Sequence, residues 1–205
     1  MATTASPKRP ARARATSAPL TAEPGRLVWT RERYERAVGA GVFGPDDRVH
    51  LIDGEVVARM SQNPPHRTAT LLLAEALRAA FAGVAFVQEE KPVALSDVSL
   101  PEPDVAVVRG TIRAFAAQHP DAGSVLLLAE VADTSLVKDR QRMAALYAEA
   151  GVPEYWIVNL AERAVEVYRD PSGEAYRTKT THADGETVTP LHARGAALPV
   201  ADLLP

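Results

Sequence analysis

Residues 124–158 read SVLLLAEVADTSLVKDRQRMAALYAEAGVPEYWIV. The first eight are almost continuously apolar, the pattern of a strand covered on both faces. Residues 135–150 carry a helical period. Gly151 stands at the position just past the helix end, and Pro153 lies beyond it, a standard stop. Tyr155-Trp156-Ile157-Val158 then forms a second strand.

Working outward, Val49 to Ile52 and Glu55 to Met60 flank Asp53-Gly54, the strongest short-range hairpin signal. Thr30 is an N-cap for a short helix over 31–38. In residues 66–82, Leu71, Leu72, Ala74, Leu77 and Phe81 recur at helical spacing and predict one buried stripe. Strands are expected at 85–89, 92–95, 103–108, 164–168 and, as an edge, 177–182. The order argues for an α/β domain around a mixed central sheet, flanked by helices and preceded by a β-hairpin.

The chain has 205 residues, 46% hydrophobic and 24% charged, which excludes global disorder, collagen and coiled coil. Zero cysteines rule out a disulfide, a thiol nucleophile and a cysteine-ligated metal, and fit a reducing cytoplasm. No apolar run is long enough to span a membrane. Net charge is −3, yet Lys8, Arg9, Arg12 and Arg14 face Glu23 alone at the start, so the remainder is more acidic still. Residues 1–26 are expected to be a disordered basic tail, and 27–205 a single domain. The tail composition also fits accessory contact with nucleic acid or a targeting segment.

Two acids interrupt apolar strands. Asp104 opens Val105 to Val108, and Glu130 lies near the end of the 124–131 run. A carboxylate in such a place is costly unless it is paired, solvated or bound to a cation. If the strands are neighbours, the two acids converge on one hard divalent ion, which takes one or two carboxylates and fills its other positions with water and phosphate oxygens. Otherwise they sit at solvent-facing strand ends or pair with basic side chains. Glycoside hydrolysis by two acids needs an aromatic-lined cleft, and five Tyr, four Phe and two Trp leave little for one.

These residues also carry a resemblance. Pro103-Asp104 followed by Glu130-Val131-Ala132 is similar to the Pro-Asp…(Asp/Glu)-X-Lys pattern of the PD-(D/E)XK nuclease superfamily. More closely, several blocks over residues 34–168 resemble the bacterial family of putative restriction endonucleases. They are Leu51-Ile52-Asp53-Gly54-Glu55, Met60-Ser61 with His66, Pro101 to Val108, Glu130-Val131 through Asp139-Arg140 to Ala148, and Ala150 to Val158. The resemblance implies a restriction-endonuclease-like core, Mg²⁺- or Mn²⁺-dependent hydrolysis of nucleic acid (DNA first), and a homodimer. By motif position it makes Asp104 and Glu130 metal ligands. Glu55 and His66 line the same cleft, or are a hairpin acid and a helix-start residue.

One feature departs from the family pattern. The usual lysine slot after Glu130 holds Ala132, and the slot on the following helix holds Met143. At about 100° per residue, Leu136, Arg140, Met143, Tyr147 and Ala150 fall within about 40° of one line, with Lys138 nearly opposite Met143. Arg140 is therefore the expected substitute cation, with Lys91 a remote one; Asp139-Arg140 is equally an ion pair. The chain reads as an active nuclease, or as a nuclease fold with impaired turnover that binds nucleic acid or protein.

Overall fold

The computed structural model describes residues 27–44, 46–59 and 61–205. The basic segment 1–26 and Met60 lie outside the described residues. Helix α1 (Arg31–Gly39) starts where the Thr30 side chain accepts from the Arg33 N–H. Strands β1 (Val49–Ile52) and β2 (Glu55–Ala58) form the hairpin, with Ile52 opposite Glu55. Asp53 and Gly54 have φ of 51° and 74°, the left-handed pair that a two-residue turn requires. A Cβ on Gly54 would lie 2.3 Å from Val28 Cγ1, so glycine is also needed for the chain to pass beneath.

Six strands make the central sheet in the order β3 (Ala85–Glu89), β4 (Val105–Arg109), β5 (Val125–Ala132), β6 (Glu154–Asn159), β7 (Ala164–Ser172), β8 (Ala175–Ala183). Only β5 and β6 are parallel within it, and the helical segment between them supplies the crossover that parallel strands demand. Short strands β9 (Thr187–Val188) and β10 (Leu198–Pro199) pair separately.

The sheet alternates its side chains between two cores, as strand geometry dictates. One face buries Val105, Val107, Leu127, Ala129, Trp156 and Val158 beneath helix α2 (Pro64–Ala80). The other buries Ala106, Val108, Leu128, Ala132, Tyr155 and Ile157 beneath helix α3, residues 136–149. Among the described residues no helix is long and apolar enough to cross a membrane.

Several expectations are corrected. The buried row of α2 is Ala69, Leu73, Leu77 and Phe81, while Leu71 is 48% exposed; three consecutive leucines leave the phase ambiguous, and the i, i+4 row resolves it. Residues 92–95 form no strand. Their N–H groups bond instead to loop carbonyls of Pro101, Pro120 and Ser99, and Pro92 has none to give. Strand β7 runs on through Pro171 to Ser172, paired with β8.

Helix α3 is not uniform. An α turn at Leu136–Lys138 leads into a π-helical turn at Asp139–Met143, then α-helix at Ala144–Glu149. The π turn holds one residue more than an α turn, shifting all residues before it by about 100° relative to those after it.

Candidate active site

β4 begins where β5 ends, and the N-terminal turns of α2 and α3 flank that edge of the sheet. The register pairs Val105 with Ala129, which makes Asp104 and Glu130 cross-strand neighbours on the α3 face. Each holds the other's strand. The Asp104 N–H donates to Glu130 Oε2 at 3.3 Å, and the Val131 N–H donates to Asp104 Oδ2 at 2.8 Å. Asp104 also meets His66 Nε2 at 3.2 Å and accepts from Gln62 at 3.3 Å. Tyr147 donates its hydroxyl to Glu130 Oε1 at 2.6 Å.

Asp104, Glu130, Val131, His66 and Gln62 line a cleft of about 70 Å³ together with His50, Arg59, Glu102, Lys138 and Asp139. A larger concavity, about 850 Å³ between α1 and residues 115–121, shares only Glu102 with it and contains neither Asp104 nor Glu130.

Four acids line the cleft, and Asp104, Glu130 and Asp139 among them resist joint ionisation. Burial, then the negative charges of Asp104 and Asp139, push Glu130 well above the usual carboxylate range, against the donors Tyr147 and Asp104 N–H. Burial pushes Asp139 up to about 6, although Ser135 donates to it and Lys138 attracts its charge. For His66 burial opposes the charge, but the hydrogen bond to Asp104 and the fields of Asp104 and Glu90 outweigh it and raise the pKa. His50 is lowered to about 3, by burial first and then by Lys138, Arg59 and Arg142, so it is neutral at pH 7.

The donor set fits a hard dication. Each oxygen of Glu130, and Oδ1 of Asp104, has one protein partner and a second lone pair to offer. Positive charge between these acids would offset the repulsion that raises Glu130. Among the described residues no three His, Cys, Asp or Glu side chains assemble a metal site by themselves. Two carboxylates completed by water suit Mg²⁺, which keeps several waters.

Arg140 does not join this cluster. Its guanidinium forks onto Glu166 of β7, a carboxylate 1% exposed that Lys179 and Tyr168 also bind. Burial would raise Glu166, but these donors hold it at about 2. The π turn explains the placement. Removing its extra residue from the helical count puts Asp139 within about 20° of Tyr147, Lys138 about 80° away and Arg140 about 120° away. Asp139 and Lys138 thus line the cleft. Glu55 lies on the hairpin and pairs with Arg142 at 2.8 Å, outside the cleft. Lys91 is also absent from its lining.

Gln62, Asp139, Tyr147, Lys138 and His50 were not legible as site residues. Gln62 and His50 have no motif spacing, and the π turn hides Asp139 and Lys138 from a helical wheel; Tyr147 lies on the expected sheet face, but no motif marks it. Both vacant lysine slots are core positions: Ala132 is 0% and Met143 1% exposed.

A family profile described as Putative restriction endonuclease (Uma2) matches residues 31–201. The chain belongs to this family. Among solved structures it is similar to a crystal structure from Anabaena variabilis described as a putative nuclease belonging to DUF820. The TM-score is 0.66 at 16% identity, covering 85% of this chain and 96% of that one. At that identity the likeness shows the fold alone; the hairpin and the cleft lie within the residues that the family profile matches. No functionally curated protein matches.

Proposed function

We propose that this Uma2-family chain is a divalent-metal-dependent nuclease that hydrolyses phosphodiester bonds of DNA in the cleft at the β4–β5 edge. The observation that carries the reading is the reciprocal backbone clasp between Asp104 and Glu130, which fixes two carboxylates side by side on one face of the sheet. Asp104 and Glu130 would hold Mg²⁺ or Mn²⁺, which supplies an acidified water and offsets phosphate charge. The chain's own groups do the rest. Val131 N–H and His66 fix the Asp104 carboxylate, while Asp104 N–H and Tyr147 fix that of Glu130, so the two ligands are oriented before substrate arrives. Hydrolysis joins a water oxygen to phosphorus as one P–O ester bond breaks, leaving a phosphomonoester and an alcohol.

A second reading, a nuclease fold retained for binding with little turnover, is favoured by one observation: both lysine slots are filled by buried apolar side chains. Incubating plasmid DNA with Mg²⁺ or Mn²⁺ separates the two. Nicking by the wild type, lost in Asp104→Ala and Glu130→Ala, supports the nuclease. A wild type no better than both variants supports the binding protein. In either reading the protein is expected to work as a homodimer in the cytoplasm, which sedimentation and fractionation test.

A further inference from the structure

His50 has no role in the reading above, yet it is the most unusual polar group near the cleft. It sits on β1, is 4% exposed, and lines the cleft. Its Nδ1 accepts from the Glu102 N–H at 3.5 Å. In a neutral ring that leaves the proton on Nε2. This Nε2 is buried and has no hydrogen-bond partner among the described residues. Buried donors are almost always satisfied, so one left over next to a cleft is set aside for something that enters it.

Lys138 lines the same cleft. Its charge is felt by both His50 and Asp139, but among the described residues it forms no ion pair within 4.0 Å. The neighbouring arginines are committed: Arg59 to Glu90 and Glu102, Arg140 to Glu166, Arg142 to Glu55. Lys138 is therefore the cation in the cleft lining that has no fixed carboxylate partner, and the π turn is what brings it there.

A phosphodiester carries one negative charge on two non-bridging oxygens. Among Glu102, Asp104, Glu130 and Asp139 it needs hydrogen-bond donors and positive charge. We infer that His50 Nε2–H and Lys138 form the phosphate-receiving side of the cleft, with Lys138 standing in for the lysine lost at Ala132 and Met143. The inference rests on the nuclease reading for the identity of the substrate, but the anion subsite is measurable without cleavage. A neutral N–H and a mobile ammonium contact phosphate oxygens and no base edge, so recognition here is independent of sequence.

The test uses the full chain with dimethyl phosphate as a minimal phosphodiester, with and without Mg²⁺, observed by ¹⁵N spectra of histidine-labelled protein. His50 is expected as the Nε2–H tautomer, and its Nε2 resonance moves as dimethyl phosphate is added. Lys138→Gln weakens that response at least five-fold and Lys138→Arg retains most of it. In plasmid nicking, Lys138→Gln and His50→Phe each lose at least ten-fold, while His50→Gln, which keeps an N–H donor, recovers part. Thermal melts of each variant separate these losses from unfolding, and the wild-type spectra stand if a variant does not fold. An Nδ1–H tautomer, or a His50 resonance indifferent to dimethyl phosphate, overturns the inference. Asp104-dependent nicking that Lys138→Gln and His50→Phe leave intact keeps the nuclease and also overturns it. A phosphate response without nicking keeps the subsite and removes the nuclease reading.

Discussion

Tyr147 places its hydroxyl 2.6 Å from Glu130 Oε1, across the gap between α3 and β5. Tyr147 is fully buried and lies one helical turn beyond Met143, itself buried beneath the same sheet face. A neutral donor thus reaches the acid from the side of the helix that carries Met143. The hydrogen bond favours the ionised carboxylate while burial and Asp104 oppose it.

Tyr147→Phe removes that donor and keeps the ring packing. Glu130 loses a group that lowers its pKa, so its pKa rises further and a higher pH is needed to ionise it. The acid limb of the nicking profile is expected to move to higher pH, and stability to fall by about 1 to 2 kcal/mol. Rates between pH 5.5 and 9, beside urea melts, check this; an unmoved acid limb would separate Tyr147 from the function of Glu130.

The acid cluster makes stability depend on pH with a definite sign. Burial lifts Asp139 to about 6 in the fold, against 3.8 for a free aspartate. Between those values the folded chain retains a proton that the unfolded chain has released. Stability therefore falls as pH rises through this window, and the loss is complete above it. The raised Glu130 acts in the same direction. Asp139→Asn is expected to stabilise the protein at pH 7.5, on the order of 2 kcal/mol, and to do little at pH 4. Mg²⁺ is expected to raise the Tm of the wild type at pH 7.5 more than at pH 5, and not in the Asp104→Ala, Glu130→Ala double variant. Calorimetry with and without Mg²⁺ reads both; equal Mg²⁺ shifts in wild type and double variant would remove the two acids as its ligands.

Arg140 is held away from the cleft by Glu166. Its fork onto the almost fully buried Glu166 leaves Lys179 and Tyr168 as the only other partners of that carboxylate among the described residues. Arg140→Met should cost about 1 to 3 kcal/mol, less than a fully unpaired buried charge because those two partners stay. The rate of nicking per folded molecule should not change. Guanidinium melts and nicking at 20 °C decide it, and a rate that collapses in a fully folded variant would return Arg140 to the site.

Much of this could be read from the chain. Asp53-Gly54 fixed a hairpin because only a few residues tolerate two successive positive φ values. The 124–131 run announced a strand buried on both faces, and the acid within it lies beside Asp104 in the cleft. The rest failed for physical reasons. Leu71 and Leu73 have the same side chain, so composition could not say which one faces the sheet. Pro92-Val93-Ala94-Leu95 is apolar enough for a strand, but its backbone partners are loop carbonyls 4 to 26 positions along the chain. The helical wheel put Arg140 on the site and Lys138 opposite because it assumes 3.6 residues per turn throughout; one π turn rotates Asp139 and Lys138 into the cleft and Arg140 out of it.

That rotation yields the last prediction. Met143 lies within the π turn, 1% exposed and packed in the core beneath the sheet. A lysine there would lose hydration, at a cost of roughly 2 to 4 kcal/mol offset in part by Glu130 and Asp139. If Lys138 already supplies the positive charge, Met143→Lys adds little to the nicking rate of the wild type. In a Lys138→Gln background the same substitution should restore at least ten-fold of the lost rate, because an ammonium again lies beside the acids. The two substitutions are then strongly non-additive, as expected of groups serving one role. Single-turnover nicking of wild type, both single variants and the double variant closes this cycle. A large gain from Met143→Lys in the wild type would mean that the vacancy limits the natural chain and that Lys138 does not fill it.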